Sequence, residues 1–127
     1  MEIKSSKTLV EEALKEIKSI EPLEVKELQI KNLCNLIDVR DIRELDHQGR
    51  IKDANHIPRG MLEFWMDPGS PYFKESNLDL SKETVLFCAG GMRSALAVKT
   101  LRDMGYEKVS HVKGGFASLT AEGFEVI

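Results

Sequence analysis

At 127 residues the chain has the size of one domain, able to bury a core without staples, and its 42% hydrophobic and 31% charged content is ordinary for a globular protein. A net charge of −3 argues against nucleic acid as the main partner, and no apolar run approaches the ~20 residues a bilayer span requires. Two cysteines make no disulfide framework and three dispersed histidines make no metal-ligand spacing, so neither a metal nor a cofactor is expected.

Thr8 to Ile20 carries Leu9, Val10, Ala13, Leu14, Ile17 and Ile20 with Glu and Lys between them. That spacing predicts a helix with one solvated face, packed on the domain surface rather than reserved for a partner. Pro22 ends it, Leu23 to Val25 is expected as a short strand, and Lys26 to Leu33 as a short helix leading into a strand at Leu36 to Val39. Asp41 to Asp46 predicts another short helix, with Arg40 and Glu44 four apart and able to pair. Gly49 to Pro58 is loop-rich, with a short strand near Asn55 to Ile57, and Met61 to Trp65 predicts one or two helical turns. Asp67-Pro68-Gly69-Ser70-Pro71 is a loop dense in breakers.

A β-branched and apolar run at Thr84 to Phe87 then meets Cys88. Ala95, Leu96, Ala97, Val98, Leu101 and Met104 follow at helical spacing, and Gly105 supplies a cap. Val109 to Val112 predicts a strand, and Gly114-Gly115 opens a last short helix before Phe124 to Ile127. Strands alternating with helices predict an α/β fold, a mostly parallel sheet covered on both faces. Ligands of such sheets sit beyond the carboxyl ends of the strands, which is where Cys88 falls.

The segment Cys88-Ala89-Gly90-Gly91-Met92-Arg93-Ser94 concentrates the chemistry. Cysteine is a nucleophile as the thiolate, a form favoured at a helix N-terminus and beside a cation. The helix starting near Ser94 offers unpartnered N–H groups, and Gly90 and Gly91 allow a tight turn that aims amides inward. Arg93 adds a permanent charge with a donor fork suited to oxyanions. No acidic residue occurs from Val85 to Leu101, while Arg93 and Lys99 are basic, so a small anionic substrate is expected.

Four residues separate Cys88 from Arg93, giving C-x4-R-S. Cysteine-dependent phosphatases use C-x5-R, a larger ring that encloses a phosphate. The shorter loop resembles that of the rhodanese family of sulfurtransferases, C-x-x-G-x-R-[ST], whose fixed positions are filled by Cys88, Gly91, Arg93 and Ser94. Leu36-Ile37-Asp38-Val39-Arg40 is similar to that family's Asp-Val-Arg strand. Gly49-Arg50-Ile51, Ala54 and His56-Ile57-Pro58 resemble its G-H-I-x-G-A…I-P segment, and Val112-Lys113-Gly114-Gly115-Phe116 its late glycine pair. Asp53 stands where the family often has glycine, and Leu119 where it often has tryptophan.

The resemblance implies a rhodanese-like three-layer α/β fold over residues 23–127, with residues 1–22 as a helical extension packed on it. It implies Cys88 as the catalytic residue and Ala89, Gly90, Gly91, Met92, Arg93 and Ser94 as the substrate-binding loop. The expected activity moves a sulfane sulfur from an anionic donor, thiosulfate, through a Cys88 persulfide to cyanide or a cellular thiol. Arg93 favours thiosulfate over mercaptopyruvate, whose users tend to have uncharged loops. A different role, as a persulfide carrier or regulatory module for one protein partner, stays open, as does a phosphatase or arsenate reductase. Neither nucleic acid nor membrane is expected as a partner.

Other residues read as structural. Asp38 and Arg40 are expected to orient loops, Cys34 to be a small buried side chain, and His56 and His111 to serve packing. Arg59 and Trp65 border the active site in proteins the chain resembles and are candidates for shaping entry. Met1 to Lys7 leads into a charged helix rather than an apolar signal, so a reducing cytoplasm is the expected setting.

Overall fold

The strand-forming runs of the sequence assemble into a five-stranded parallel sheet of order β1-β5-β4-β2-β3. The computed structural model describes the backbone of all 127 residues and the side chains of all except Lys74 and Glu75. The strands are β1 (Lys18–Ile20), β2 (Cys34–Asp38), β3 (Asn55–His56), β4 (Glu83–Phe87) and β5 (Val109–Val112). Helices α1 (Ser6–Glu16), α2 (Pro22–Ile30), α3 (Ile42–Gln48), α4 (Leu62–Trp65), α5 (Pro71–Glu75), α6 (Met92–Asp103) and α7 (Gly115–Ala121) connect and cover them.

Alternate residues of each strand feed one of two cores, because a strand's side chains point to opposite faces in turn. On one face Ile37, Val39, Leu86 and Val109 pack with Ala97, Val98 and Leu101 of α6 and Leu62 of α4. On the other, Leu36, Val85, Phe87 and Val112 pack with Val25 of α2 and Leu119 of α7. Cover on both faces leaves every residue of β2 buried, the polar Asn35 and Asp38 included. The three-layer expectation is met. No described helix is long and apolar enough to cross a membrane.

Two local expectations are overturned near the N-terminus. The helix ends at Glu16 rather than Ile20, and Lys18 to Ile20 form an edge strand paired in parallel with Ser110 to Val112. Leu23 to Val25 are helical, because Pro22 sits in the first turn of α2. Proline is welcome there, since its missing N–H would have had no intrahelical partner. Pro22 therefore starts a helix and is not merely the end of one.

The expected Arg40–Glu44 pair is also absent. Arg40 lies before α3, whose N-cap is Asp41, so it does not share that helix face. Arg40 is fully buried, and its Nε and Nη2 donate to the Asp38 carboxylate at 2.8–3.0 Å. Further bonds run to Gln48 Oε1 at 3.1 Å and the Gly49 carbonyl at 2.9 Å, and the guanidinium lies 4.1 Å from the centre of the Phe116 ring. A charge buried this deeply is tolerated because its donors are matched. Asp38 and Arg40 thus hold the corner after β2, as expected of loop-orienting residues. Asp53 takes the left-handed conformation, φ +67°, that glycine adopts freely and aspartate tolerates.

Candidate active site

β4 ends at Phe87, and the chain turns through Cys88 to Gly91 before α6 begins at Met92. Gly91 caps the helix at φ +113°, in the left-handed region, so glycine is required there. Gly90 is not under the same demand: a Cβ there would meet nothing within 4 Å, and its φ is ordinary. Of the two loop glycines, only Gly91 holds a conformation that requires glycine.

The turn aims amides at the sulfur. The Gly91 N–H donates to Cys88 Sγ at 3.1 Å and the Ser94 N–H donates to it at 3.4 Å. Cys88 is 1% exposed, and the buried Ser94 hydroxyl lies 3.5 Å from its sulfur. Two N–H groups of a helix's first turn converging on one atom stabilise negative charge on it. Around the sulfur, Ala89 and Gly91 are half-buried, Gly90 is exposed, and the Met92 side chain projects into solvent.

The loop is clamped from outside by α7. The Phe116 N–H donates to the Cys88 carbonyl at 2.7 Å, and a Cβ on Gly115 would stand 2.3 Å from that same oxygen. The late glycine pair therefore has a steric purpose, since α7 reaches the loop only without a side chain at that point.

Arg93 does not point its fork at the sulfur. Its Nη1 and Nη2 donate to Glu44 Oε1 and Oε2 at 2.6 and 3.0 Å, a two-bond match across from α3. These bonds hold the Glu44 carboxyl below its ordinary range, and the Arg93 pKa lies above its usual value for the same reason. Glu44 also closes the N-terminal capping box of α3 through the Asp41 N–H. Sequence reading missed Glu44 as a site residue, because nothing local links it to an arginine 49 positions later.

The remaining candidates separate. His111 Nδ1 lies 3.1 Å from Ser94 Oγ, so His111 is joined to the cysteine loop rather than being only a packing residue. His56 Nε2 lies 2.7 Å from the Arg40 carbonyl and braces the corner after β2. Arg59 bonds Glu63 and Thr100, and Trp65 stacks on Tyr72 at 6.1 Å, so neither is bonded to the loop. Cys34 is buried at the opposite end of the sheet, paired in register with Glu83 while Cys88 follows Phe87. Burial pushes its thiol up to about 11, which suits a packing residue and not a resolving thiol. Among the described residues no cluster of three or more His, Cys, Asp or Glu is arranged to hold a metal.

The rhodanese-like domain family matches residues 21–122. A Rhodopseudomonas palustris structure, described as a protein of unknown function and possible tyrosine phosphatase, superposes with a TM-score of 0.86. It is 36% identical and covers 100% of this chain and 97% of its own. The polysulfide-sulfur transferase homodimer of Wolinella succinogenes superposes at TM-score 0.75 with 34% identity, covering 95% of this chain and 85% of that one. The tRNA uridine(34) hydroxylase of Bartonella henselae is 42% identical over 66 residues, 52% of this chain and 18% of that protein. The chain spans about a fifth of the length of the tRNA hydroxylases it matches. A family match over most of the chain, one that takes in the loop whose amides converge on Cys88, shows that the chain belongs to the rhodanese-like domain family.

Proposed function

We propose that the chain is a sulfurtransferase that carries sulfane sulfur as a Cys88 persulfide, with thiosulfate as donor. The observation that carries this reading is the pair of N–H donors, Gly91 and Ser94, converging on Cys88 Sγ. The thiolate attacks the outer sulfur of thiosulfate, the sulfur–sulfur bond of the donor breaks, and sulfite leaves with the electron pair. The two amides take up the charge of the sulfur as an oxyanion hole takes up that of oxygen. A thiol acceptor, small or carried on a protein, then removes the outer sulfur and restores the thiolate, so ping-pong kinetics follow. Polysulfide, which figures in the description of the Wolinella relative as a polysulfide-sulfur transferase, is an anion of the same class.

Intact-mass measurement after thiosulfate treatment tests the reading. One added sulfur is expected, located by peptide mapping on Cys88. A chain that gains no sulfur from thiosulfate, polysulfide or mercaptopyruvate overturns it, and a preference for mercaptopyruvate overturns the choice of donor.

A phosphatase reading draws on the description of the Rhodopseudomonas relative. The four-residue spacer gives a ring too small to surround a phosphate, and Arg93 is engaged by Glu44 rather than lining the ring. Asp67, a conceivable acid for the leaving group, accepts the Gly69 N–H at 2.8 Å in its own turn. Turnover of an aryl phosphate in the same preparations would reverse the ranking.

Glu44 tempers the attraction of Arg93 for an anionic donor. Glu44→Gln leaves that charge uncompensated. The KM for thiosulfate is expected to fall roughly threefold with a steeper salt dependence, the scale of one partly exposed charge. Initial rates across ionic strengths check this. An unchanged KM means that Arg93 holds the loop and does not recruit the donor.

A further inference from the structure

Ser94 connects the cysteine to a second buried group. Its hydroxyl lies 3.5 Å from Cys88 Sγ, 3.3 Å from the Gly91 carbonyl and 3.1 Å from His111 Nδ1. His111 is 2% exposed on β5, and its Nε2 lies 2.9 Å from Ser19 Oγ on β1. The parallel register Ser19↔His111 places the two side chains on the same face, next to each other. Ser19 lies before the residues that the family match covers, so the N-terminal extension supplies one end of this chain of bonds.

A hydroxyl has one proton and two acceptor sites, and a neutral imidazole donates from one nitrogen while accepting at the other. One assignment then runs from the sulfur to β1 in a single direction, with the Ser94 proton on the nearer His111 Nδ1 rather than on the Gly91 carbonyl. The Cys88 thiol donates to Ser94 Oγ, Ser94 donates to His111 Nδ1, and His111 Nε2–H donates to Ser19 Oγ. Burial, and after it the charge of Lys113, lower the His111 pKa, so the imidazole enters the step neutral and holds the transferred proton weakly. The elements around it present Val10 and Leu14 from α1, Met92 and Ser94 from α6 and Leu86 from β4. Lys113, itself bridged to Glu21 at 3.1 Å, is the charged residue that bears on it among the described residues.

We propose that Ser94 and His111 form a proton relay that removes the Cys88 thiol proton, with Ser19 holding the far side of the imidazole. The S–H bond breaks and its proton passes to Ser94 Oγ as the Ser94 proton passes to His111 Nδ1. The products are a thiolate, an intact serine and an imidazolium whose Nε2–H remains on Ser19, and no electrons are exchanged. A groove of about 370 Å³ lined by Val10, Leu14, Ser19, Met92, His111 and Lys113 gives the proton an exit to water. Ser94 touches the reacting sulfur, whereas His111 and Ser19 are positioning residues that act through it.

This inference rests on the reading of Cys88 as the reacting thiol, but its test does not require sulfur transfer. The rate of Cys88 alkylation by iodoacetamide is measured against pH and resolved from Cys34 by peptide mapping. In the wild type an inflection on the acid side, belonging to His111, is expected. His111→Gln and Ser94→Ala lose it and slow alkylation at neutral pH about tenfold, the equivalent of a one-unit displacement of the thiolate equilibrium. Ser19→Ala slows it by a smaller factor. A His111→Gln profile that superimposes on the wild type overturns the relay. Thermal melts show whether each variant folds. If His111→Gln does not, Ser19→Ala at the sheet edge decides, and a wild-type profile there overturns the proposal. A wild type that shows the relay profile but accepts no sulfur sinks only the sulfurtransferase reading.

Discussion

Cys88→Ser is expected to fold as the wild type does and to reduce sulfur transfer to assay background. A serine Oγ accepts the same Gly91 and Ser94 N–H groups that now meet the sulfur, so the loop keeps its shape. The change in stability is expected within about 1 kcal/mol, the scale of one altered hydrogen bond. The hydroxyl neither ionises near neutral pH nor carries a persulfide, so the first displacement has no nucleophile. Cys34 offers no rescue, being buried at the opposite end of β2 with its thiol pushed up to about 11. Turnover in a thiosulfate–cyanide assay, intact mass and a thermal melt check the three parts together. Sulfur uptake by Cys88→Ser would remove Cys88 from the reaction, and Cys34→Ser is expected to load sulfur normally.

Gly115→Ala is expected to damage the loop and the fold at once. The new Cβ would lie 2.3 Å from the Cys88 carbonyl oxygen and 2.8 Å from that of Ala89, at a φ of +59°. Both contacts are backbone, so neither yields by rotating a side chain. The left-handed conformation adds about 1–2 kcal/mol for a residue with a Cβ, and the overpacking about 1–3 kcal/mol. A loss of about 2–5 kcal/mol in denaturant unfolding follows from the two together. Separating α7 from the loop breaks the Phe116–Cys88 hydrogen bond and shifts the amides that face the sulfur. A displacement near 1 Å lowers turnover by roughly a hundredfold. Gly90→Ala is the matched control, because its Cβ meets nothing, and a change within about 0.5 kcal/mol is expected. Equal effects of the two substitutions would show that the clamp by α7 is unimportant.

Several features of the fold were legible because their signals are local. Helix α6 follows from Ala95, Ala97, Val98 and Leu101 at helical spacing, with Gly105 in the left-handed conformation just past its end. The turn at Gly91 and the start of α7 after Gly114 follow from conformations that glycine supplies within one turn. The boundary between α1 and β1 was not legible. Ile17 and Ile20 continue the apolar spacing of α1, and only the free edge of β5 draws Lys18 to Ile20 out of the helix. Pro22 reads locally as a stop as readily as a start.

By itself the sequence determined the alternation of strands and helices, the cysteine at a strand's carboxyl end and the tight loop after it. These depend on the periodicity and turn chemistry of neighbouring residues. Tertiary structure alone decided which side chains share the site: Glu44 on Arg93, Arg40 turned inward to Asp38, and Ser19 on His111 across 92 positions. The sheet order β1-β5-β4-β2-β3 brings these groups together, and that order is set by packing two apolar faces at once. No local run of residues encodes it, because a hydrogen bond acts over about 3 Å in space whatever the separation along the chain.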